Sequence, residues 1–442
     1  MWKILASDLT WAWRVWVSTA LVAATAAAAG SVPAALVETG IGVGGLRGLG
    51  ILSIASTAIV FTTIAFVGVL AQVLRSTVRS RRATFALWQL AGLLPGQTFA
   101  VVFIQIMITA AAGAALGTVA SAPFAAPLVE YGLTGASGLG NVEANYGGLS
   151  LLAVGAAVVV VAAISAASAS RDASRSRLVS TVSSTDRALR PSKVRLVAGF
   201  ALVALSVAML SSLPASLKSG GGQALLIGPI LIAATASAGS PIFGIVTRLW
   251  TAAFRSSSTT VYIARSAALA NVKSDSTVLS ALIVAIGLPT AFISGELTIR
   301  TALSRSADGR VDAAALLLLF GPVLLGVVGS TLAVYFSAAQ RVRASAQLEV
   351  AGVSPRATVV VAAVEAIMKW GTATLLVTAV VAITASAESL LLRQVSATVV
   401  PKFGAMVLGI LALLCLALIV TASSLPVILS RRRELPARLS AP

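Results

Sequence analysis

The sequence predicts an all-α polytopic membrane protein with ten transmembrane helices. Of its 442 residues, 58% are hydrophobic and only 10% are charged, whereas soluble globular domains carry roughly 25% charged residues. The apolar runs reach about 20 residues, which is long enough for a helix to cross the ~30 Å hydrocarbon core. They lack the alternation of a membrane β-barrel, so the spanning elements are predicted to be helices.

Ten apolar runs follow one another along the chain, separated by polar or glycine-rich segments. The predicted spans cover about residues 15–37, 51–74, 98–121, 149–168, 196–213, 224–246, 277–294, 313–336, 358–384 and 404–429. A serine-rich basic linker at 171–195 is too polar to enter the bilayer, and it separates the first four spans from the next two. The longest segment predicted to be external is 122–148.

Positive charge is distributed unevenly between the two sides of this topology. The net charge is +18, and the segments predicted to be cytoplasmic hold 24 of the 32 Lys and Arg residues, against seven in external segments. Because Lys and Arg accumulate in cytoplasmic loops, both termini are predicted to be cytoplasmic. The charges are split among short loops, which argues against nucleic-acid binding. Abundant Arg and Ala are typical of GC-rich bacteria, so the predicted location is a bacterial cytoplasmic membrane.

Two absences in the sequence restrict the chemistry. There is no His, which excludes imidazole metal sites and His-based catalysis. No GxxxxGK[ST] phosphate-binding loop occurs either, so the chain is predicted not to hydrolyse ATP itself. We therefore expect no catalytic residue, no metal site and no cofactor on this chain.

A basic, amphipathic stretch with a glycine and a proline occurs twice, and the rest of the prediction is organised around it. The first copy is residues 79–97 (RSRRATFALWQLAGLLPGQ) and the second is 341–356 (RVRASAQLEVAGVSPR). At an offset of 260 residues the matched pairs are Arg81 and Arg341, Ala91 and Ala351, Gly92 and Gly352, and Pro95 and Pro355. Each copy is predicted to be a short cytoplasmic helix between two spans.

The same offset extends beyond the two stretches and predicts an internal repeat. The further pairs are Leu9 and Leu269, Val101 and Val361, Gln105 and Glu365, and Arg171 and Arg431. We predict two four-span units of the same orientation, which implies an axis along the membrane normal. The predicted domains are residues 1–177 for the first unit, 178–268 for the basic linker and an inserted two-span hairpin, and 269–442 for the second unit with a short basic tail.

With these features the chain resembles the FtsX-like permease family, the membrane subunits of MacB-type ABC transporters. In that family a basic stretch of the kind RRRE-x-ALLRALGA lies between the second and third spans, and RSRRATFALWQLAG and RVRASAQLEVAG fill that place here. Gln105 and Glu365 fall where the family often has Glu early in the third span. The layout of two units and ten spans is similar to bacitracin-export-type permeases. Their large external domain is reduced here to residues 296–311.

The resemblance implies a partner that hydrolyses ATP. Two copies of a separate ABC ATPase, which hold the ATP and Mg, would dock on the two basic stretches. The docking residues that it implies are Phe85, Leu87, Trp88, Gln89, Ala91, Gly92, Pro95, Gln347, Leu348, Glu349, Ala351, Gly352, Pro355 and Arg356. Small residues allow close backbone approach, and Pro fixes the exit into the next span. Ordinary amphipathic interface helices are the alternative interpretation of these stretches.

The function implied by the resemblance is export, or extraction from the membrane, of a hydrophobic or amphipathic compound such as an antimicrobial peptide or a lipid. The reduced external segments favour cargo taken laterally from the bilayer over capture by a large external domain. Two alternatives from other classes stay open. One is a non-transporting FtsX-like signalling subunit, and the other is an ion-driven secondary transporter in which Glu365 is essential.

Polar residues within the predicted spans form a second group of candidates, which comprises Gln105, Glu365 and Lys369. Glu365 and Lys369 are four residues apart, in the order that favours an ion pair on one helical face. Charges within spans usually point into the bundle and are functional. The alternative is a structural ion pair near the cytoplasmic interface, with Lys369 extended towards water. Gly113 and Gly117 form a small-xxx-small pattern that predicts close helix packing.

Overall fold

The computed structural model of the protein describes residues 7–8, 13–134, 142–174, 193–216, 224–253, 258–272, 275–302, 313–394 and 399–430. Within these residues the chain forms helices and no strand. The helices are α1 (Trp13–Val43), α2 (Gly45–Ser80), α3 (Arg82–Leu90), α4 (Pro95–Thr134), α5 (Gly148–Ser174), α6 (Lys193–Ser216), α7 (Ala224–Ala238), α8 (Ser240–Thr251), α9 (Thr259–Asn271), α10 (Ser276–Ala302), α11 (Ala313–Val350), α12 (Pro355–Leu392) and α13 (Ala405–Ser430).

Seven of the described helices are long and apolar enough to cross a membrane, namely α1, α2, α4, α5, α10, α12 and α13. Shorter apolar segments lie within α6 (Gly199–Leu213) and α11 (Leu317–Leu332). The predicted all-α polytopic membrane architecture is therefore confirmed. The three remaining predicted spans fall on those two shorter segments and on the pair α7 and α8.

The sixth span was predicted as one run over residues 224–246, and in the structure this run is broken into two helices. The helix ends at Ala238, and α8 leaves at an angle of 92°. Gly239 lies between them with φ 71°, a left-handed conformation that glycine adopts without steric cost. Pro241 follows in the first turn of α8, where its missing N–H costs no helical hydrogen bond.

One compact unit of the molecule comprises Met1–Arg187 and Val311–Leu332. In it α1 packs against α2, α4 and α5. The predicted small-xxx-small face on α4 is confirmed, because Cβ atoms added at Gly113 and Gly117 would lie 2.2 Å and 2.1 Å from the carbonyl oxygens of Ala20 and Ala24. These two glycines therefore let the backbones of α1 and α4 approach closely.

The other compact unit comprises Ala188–Arg310 and Ala333–Pro442. Its core lies between α7, α10, α12 and α13 and contains Ile286, Val377 and Cys415. Trp250 packs over Gly371, where an added Cβ would lie 2.6 Å from the indole ring. The Trp250 Nε1–H also donates to Thr372 Oγ1 at 2.9 Å, which fixes α8 to α12.

The two predicted copies share a packing pattern. In the first copy α4 packs against α1 and α5, and α1 packs against α5. In the second copy α12 packs against α10 and α13, and α10 packs against α13. The equivalents of α2 differ, since Val311–Leu332 clusters with the first unit although the repeat assigns it to the second copy. Clustering of residues by contacts does not test a repeat in the sequence, so the predicted repeat stays a prediction.

Candidate functional site

The two basic stretches end in the same local structure. In the first, the N–H of Gly92 donates to Gln89 O at 3.1 Å and the N–H of Leu93 donates to Trp88 O at 3.0 Å. In the second, the corresponding bonds run from Gly352 to Glu349 O at 3.0 Å and from Val353 to Leu348 O at 2.9 Å. This pair of bonds is the Schellman motif, which satisfies the last carbonyls of a helix.

Glycine and proline explain why both helices end there. Gly92 has φ 98° and Gly352 has φ 91°, a region in which a Cβ is strained and glycine is not. Pro95 and Pro355 begin α4 and α12, and a proline at the first helical position loses no intrahelical hydrogen bond. The first stretch is a separate short helix, α3, as predicted, whereas the second is the last part of the long helix α11, so its prediction as a short helix is wrong. Both continue through a sharp turn into the start of a long span.

The first stretch presents an apolar surface that the unit does not cover. Leu87 is 58%, Leu90 69% and Leu94 64% exposed, and Ala91, Gly92 and Pro95 are exposed as well. Trp88 and Gln89 are half-buried, and Gln89 Nε2 donates to the Ser174 carbonyl at 2.9 Å. Sequence reasoning missed Leu90 and Leu94, although their place on an amphipathic helix beside the turn was a usable signal.

Phe85 differs from the other predicted docking residues of this stretch, because its side chain is buried. Its ring makes an edge contact with Trp88, with the centroids 5.4 Å apart, and the Arg81 guanidinium lies 5.8 Å from its centroid. Direct contact with a partner is therefore corrected to a supporting role: Phe85 holds α3 in place.

The second stretch presents a smaller apolar and more polar surface. Val350 is 67% exposed and was missed by the sequence prediction. The exposed predicted residues are Gln347, Ala351, Gly352, Pro355 and Arg356, and the half-buried ones are Leu348 and Glu349. The Ser354 hydroxyl accepts the Ala357 N–H at 3.3 Å and caps α12. The two surfaces therefore share their backbone but differ in side-chain chemistry.

Arg81 of the first stretch belongs to a buried polar cluster with Asp8 and Gln105. Arg81, the N-cap of α3, donates from Nη1 and Nη2 to the two Asp8 oxygens, each at 2.5 Å. Gln105 Nε2, on α4, donates to Asp8 Oδ2 at 3.0 Å. All three side chains are buried. Gln105 Oε1 has no hydrogen-bond partner among the described residues.

An analogous cluster of Asp275, Glu365 and Lys369 lies in the second unit. Lys369 Nζ is 2.6 Å from Glu365 Oε1 and 2.5 Å from Asp275 Oδ2. Asp275 directly precedes α10, and the other two residues lie on α12. One ammonium is thus shared by two carboxylates, in surroundings where a lone charge would be unfavourable.

In each cluster an aspartate before the first span of a copy reaches the start of its third span. Sequence reasoning missed Asp8 and Asp275, because the residues they bind are 73 to 97 positions away in the first case and 94 in the second. The chain has only 14 Asp and Glu residues, and this scarcity was a usable signal for the two aspartates. No group of His, Cys, Asp and Glu that could hold a metal ion occurs among the residues described.

Comparison with known proteins identifies one stretch of the chain. Residues 55–178 match the family model described as FtsX-like permease C-terminal. No curated protein and no solved structure matches the chain. The matched segment covers α3, α4 and α5 with most of α2, and it includes the first basic stretch together with Arg81 and Gln105. The resemblance to the FtsX-like permease family is therefore confirmed for this segment of the chain.

Proposed function

We propose, from the premise that residues 55–178 are an FtsX-like permease domain, that the chain is the membrane subunit of an ATP-driven exporter. Domains of this family are permease subunits of ABC transporters and are not catalytic themselves. In the proposal two copies of a separate ABC ATPase, with their ATP and Mg, bind the chain. The cargo is a hydrophobic or amphipathic compound, such as a lipid or an antimicrobial peptide, that leaves a bacterial cytoplasmic membrane.

The observation that carries the proposal is the recurrence of one helix-turn-helix geometry 260 residues apart. A generic amphipathic interface helix does not need the same Schellman turn, the same positive-φ glycine and the same N1 proline twice. Two similar turns at the ends of exposed helices are what two identical partner subunits require, since each must meet a similar surface. Exposed Leu87, Leu90 and Val350 give each surface an apolar contact.

The polar clusters support a route by which movement of a docked partner reaches the spans. Arg81 caps α3 and is held by Asp8, which Gln105 of α4 also binds. A displacement of α3 therefore pulls on the segment before α1 and on α4 together. In the second unit Lys369 of α12 holds Asp275, which directly precedes α10. Buried ion pairs suit this role because breaking one is costly.

Two features of the described spans support a hydrophobic or amphipathic cargo that enters laterally from the bilayer. The connections between the described spans hold no large external domain, and the segment from 122 to 148 is partly the helical extension of α4 to Thr134. Hydrophobic side chains cover much of the surface of the described spans. A compound that already lies in the membrane reaches such a surface without an external capture domain.

The proposal is tested by substitutions at the exposed apolar residue beside each turn. Leu90→Arg and Val350→Arg place a charge in the proposed contacts without touching the buried clusters. Each is expected to weaken ATPase binding to the purified chain by at least about tenfold, since burying an unpaired Arg charge in an apolar contact costs several kcal/mol. The chain carrying both substitutions is expected to bind no ATPase.

The matched control is Tyr262→Arg, at an equally exposed residue of α9 that lies outside both stretches. It is expected to leave ATPase binding unchanged. Normal ATPase binding and transport by the doubly substituted chain, with its thermal unfolding unaltered, would remove both stretches from the proposal.

A further inference from the structure

An apolar groove of about 480 Å³ runs along the surface of the first unit between α1, α2 and α5. Its volume lies in the range of ligand sites in proteins, roughly 300–1,000 Å³. On α1 the lining runs from Ala26 to Ile41, with Glu38 near the second end, and Ile59 and Phe66 on α2 line one side. Exposed lining residues such as Leu149 and Ala157 show that the groove opens at the surface of the unit.

Small side chains create the groove. Gly30 and Ala34 of α1 face Ala153 and Ala157 of α5 across it, so no large side chain fills the space between the helices. Gly30 already lies close to Val154, since an added Cβ would be 3.2 Å from that side chain. The two helices thus approach closely at Gly30 and leave the groove beside that contact.

The part of the groove between Ala26 and Glu38 is comparable in length with one leaflet of the bilayer. From Ala26 to Glu38 the α1 helix rises about 18 Å at 1.5 Å per residue. Half of the ~30 Å hydrocarbon core is about 15 Å. Glu38 lies five residues before the end of α1, where a helix that crosses the bilayer reaches the interface. One hydrocarbon chain anchored near Glu38 would therefore fill the groove over the depth of that leaflet.

Glu38 gives this end of the groove a specific chemistry. Its Oε2 accepts the Gly147 N–H at 2.8 Å and the Ser150 hydroxyl. None of the described lining residues is basic. Burial, and to a lesser extent the Glu38 charge, raises the pKa of the nearby Tyr146 phenol, against a lowering by the Ser121 hydroxyl. A carboxylate at an apolar surface is stabilised by a cation.

We propose that the groove binds a membrane amphiphile through one hydrocarbon chain, with an ammonium head group paired to Glu38. As a cargo site the groove rests on the proposed function, but binding of the amphiphile does not. Ordinary bilayer lipid would cover an apolar groove without preference for its head group. The carboxylate is what distinguishes the proposed occupant from that lipid.

The test uses the full chain in phosphatidylcholine nanodiscs, without ATPase or ATP. Three spin-labelled probes with the same alkyl chain are compared, with an ammonium, a hydroxyl or a carboxylate head group, and electron paramagnetic resonance gives the immobilised fraction. The alkylammonium is expected to bind about two- to fivefold better than the alkyl alcohol, as one partly exposed ion pair allows. Glu38→Gln, which keeps both accepted hydrogen bonds and removes the charge, is expected to abolish that preference.

Two neighbouring alanines on α5 provide a matched pair for the groove itself. Ala157→Trp fills it and is expected to remove the immobilised alkylammonium, whereas Ala156→Trp, at an exposed residue outside the lining, is expected to leave it unchanged. Equal binding of the three probes, or a preference that survives Glu38→Gln, would overturn the proposal and assign the groove to ordinary lipid. A homodimer that excludes the probe would assign it to a second copy. Either failure leaves the ATPase-binding test of the proposed function untouched.

Discussion

At the scale of single residues, the buried ion pair of Arg81 and Asp8 has a structural role. Two hydrogen bonds of 2.5 Å join a guanidinium to a carboxylate, and both side chains are buried. Bidentate geometry of this kind is available to Arg and not to Lys. The pair fixes the segment before α1 to the first turn of α3, so its contribution is to position the first basic stretch.

Removing one member of this pair is expected to destabilise the chain more than removing both. Arg81→Met or Asp8→Asn alone leaves an uncompensated buried group and is expected to cost about 3–5 kcal/mol. The double substitution is expected to cost clearly less than the sum of the two. Unfolding in mixed micelles measures the three variants. Additivity within about 0.5 kcal/mol would mean that the two residues do not interact.

Because Lys369 has two acidic partners, we expect substitution of Glu365 and substitution of Lys369 to have unequal effects. Glu365→Gln leaves Asp275 beside the Lys369 ammonium, so folding and transport are expected to persist. Lys369→Met leaves Asp275 and Glu365 close together without a cation and is expected to reduce the yield of folded protein severely. Membrane-inserted yield and a transport assay measure the two variants. Loss of transport in a well-folded Glu365→Gln chain would favour the ion-driven alternative.

At the scale of helices, close approach of α1 and α4 depends on glycine. An alanine Cβ at 117 would lie 2.1 Å from the Ala24 carbonyl oxygen, so the two helices must separate. Gly117→Ala is therefore expected to destabilise the first unit by about 1–3 kcal/mol through overpacking. Gly155→Ala on α5 is the control, because no atom lies within 4 Å of its added Cβ. It is expected to be neutral or slightly stabilising, and equal effects of the two would contradict this account.

Local sequence signals predicted these elements well where glycine and proline act on the backbone directly. The turn after each basic stretch, the start of the following span and the Gly113–Gly117 face all follow from residues within one or two helical turns. The break at Gly239 was missed because a glycine within an apolar run does not by itself predict a break, since a straight span also tolerates one. The bend brings α8 into contact with α12, and the periodicity of the sequence does not predict this tertiary contact.

At the scale of the whole molecule, the site was less predictable than the fold. Hydropathy predicts spanning helices because the bilayer demands that each backbone group be satisfied within its own segment. The polar clusters join residues 73 to 97 positions apart, and the groove depends on how three helices pack together. Neither follows from any local pattern. The offset of 260 residues was the one long-range signal, and it paired Gly92 with Gly352, the two residues at which the structure forms Schellman turns.

The number of ATPase subunits bound to one chain is the most direct test of the central claim, that this molecule presents two equivalent docking helices. The measurement is the mass of the complex purified in mild detergent from a host that also expresses the neighbouring genes. The account predicts one chain with two copies of a separate ABC ATPase, and one copy in each of the Leu90→Arg and Val350→Arg variants. A chain that purifies alone, or as a homodimer without an ATPase, would contradict it.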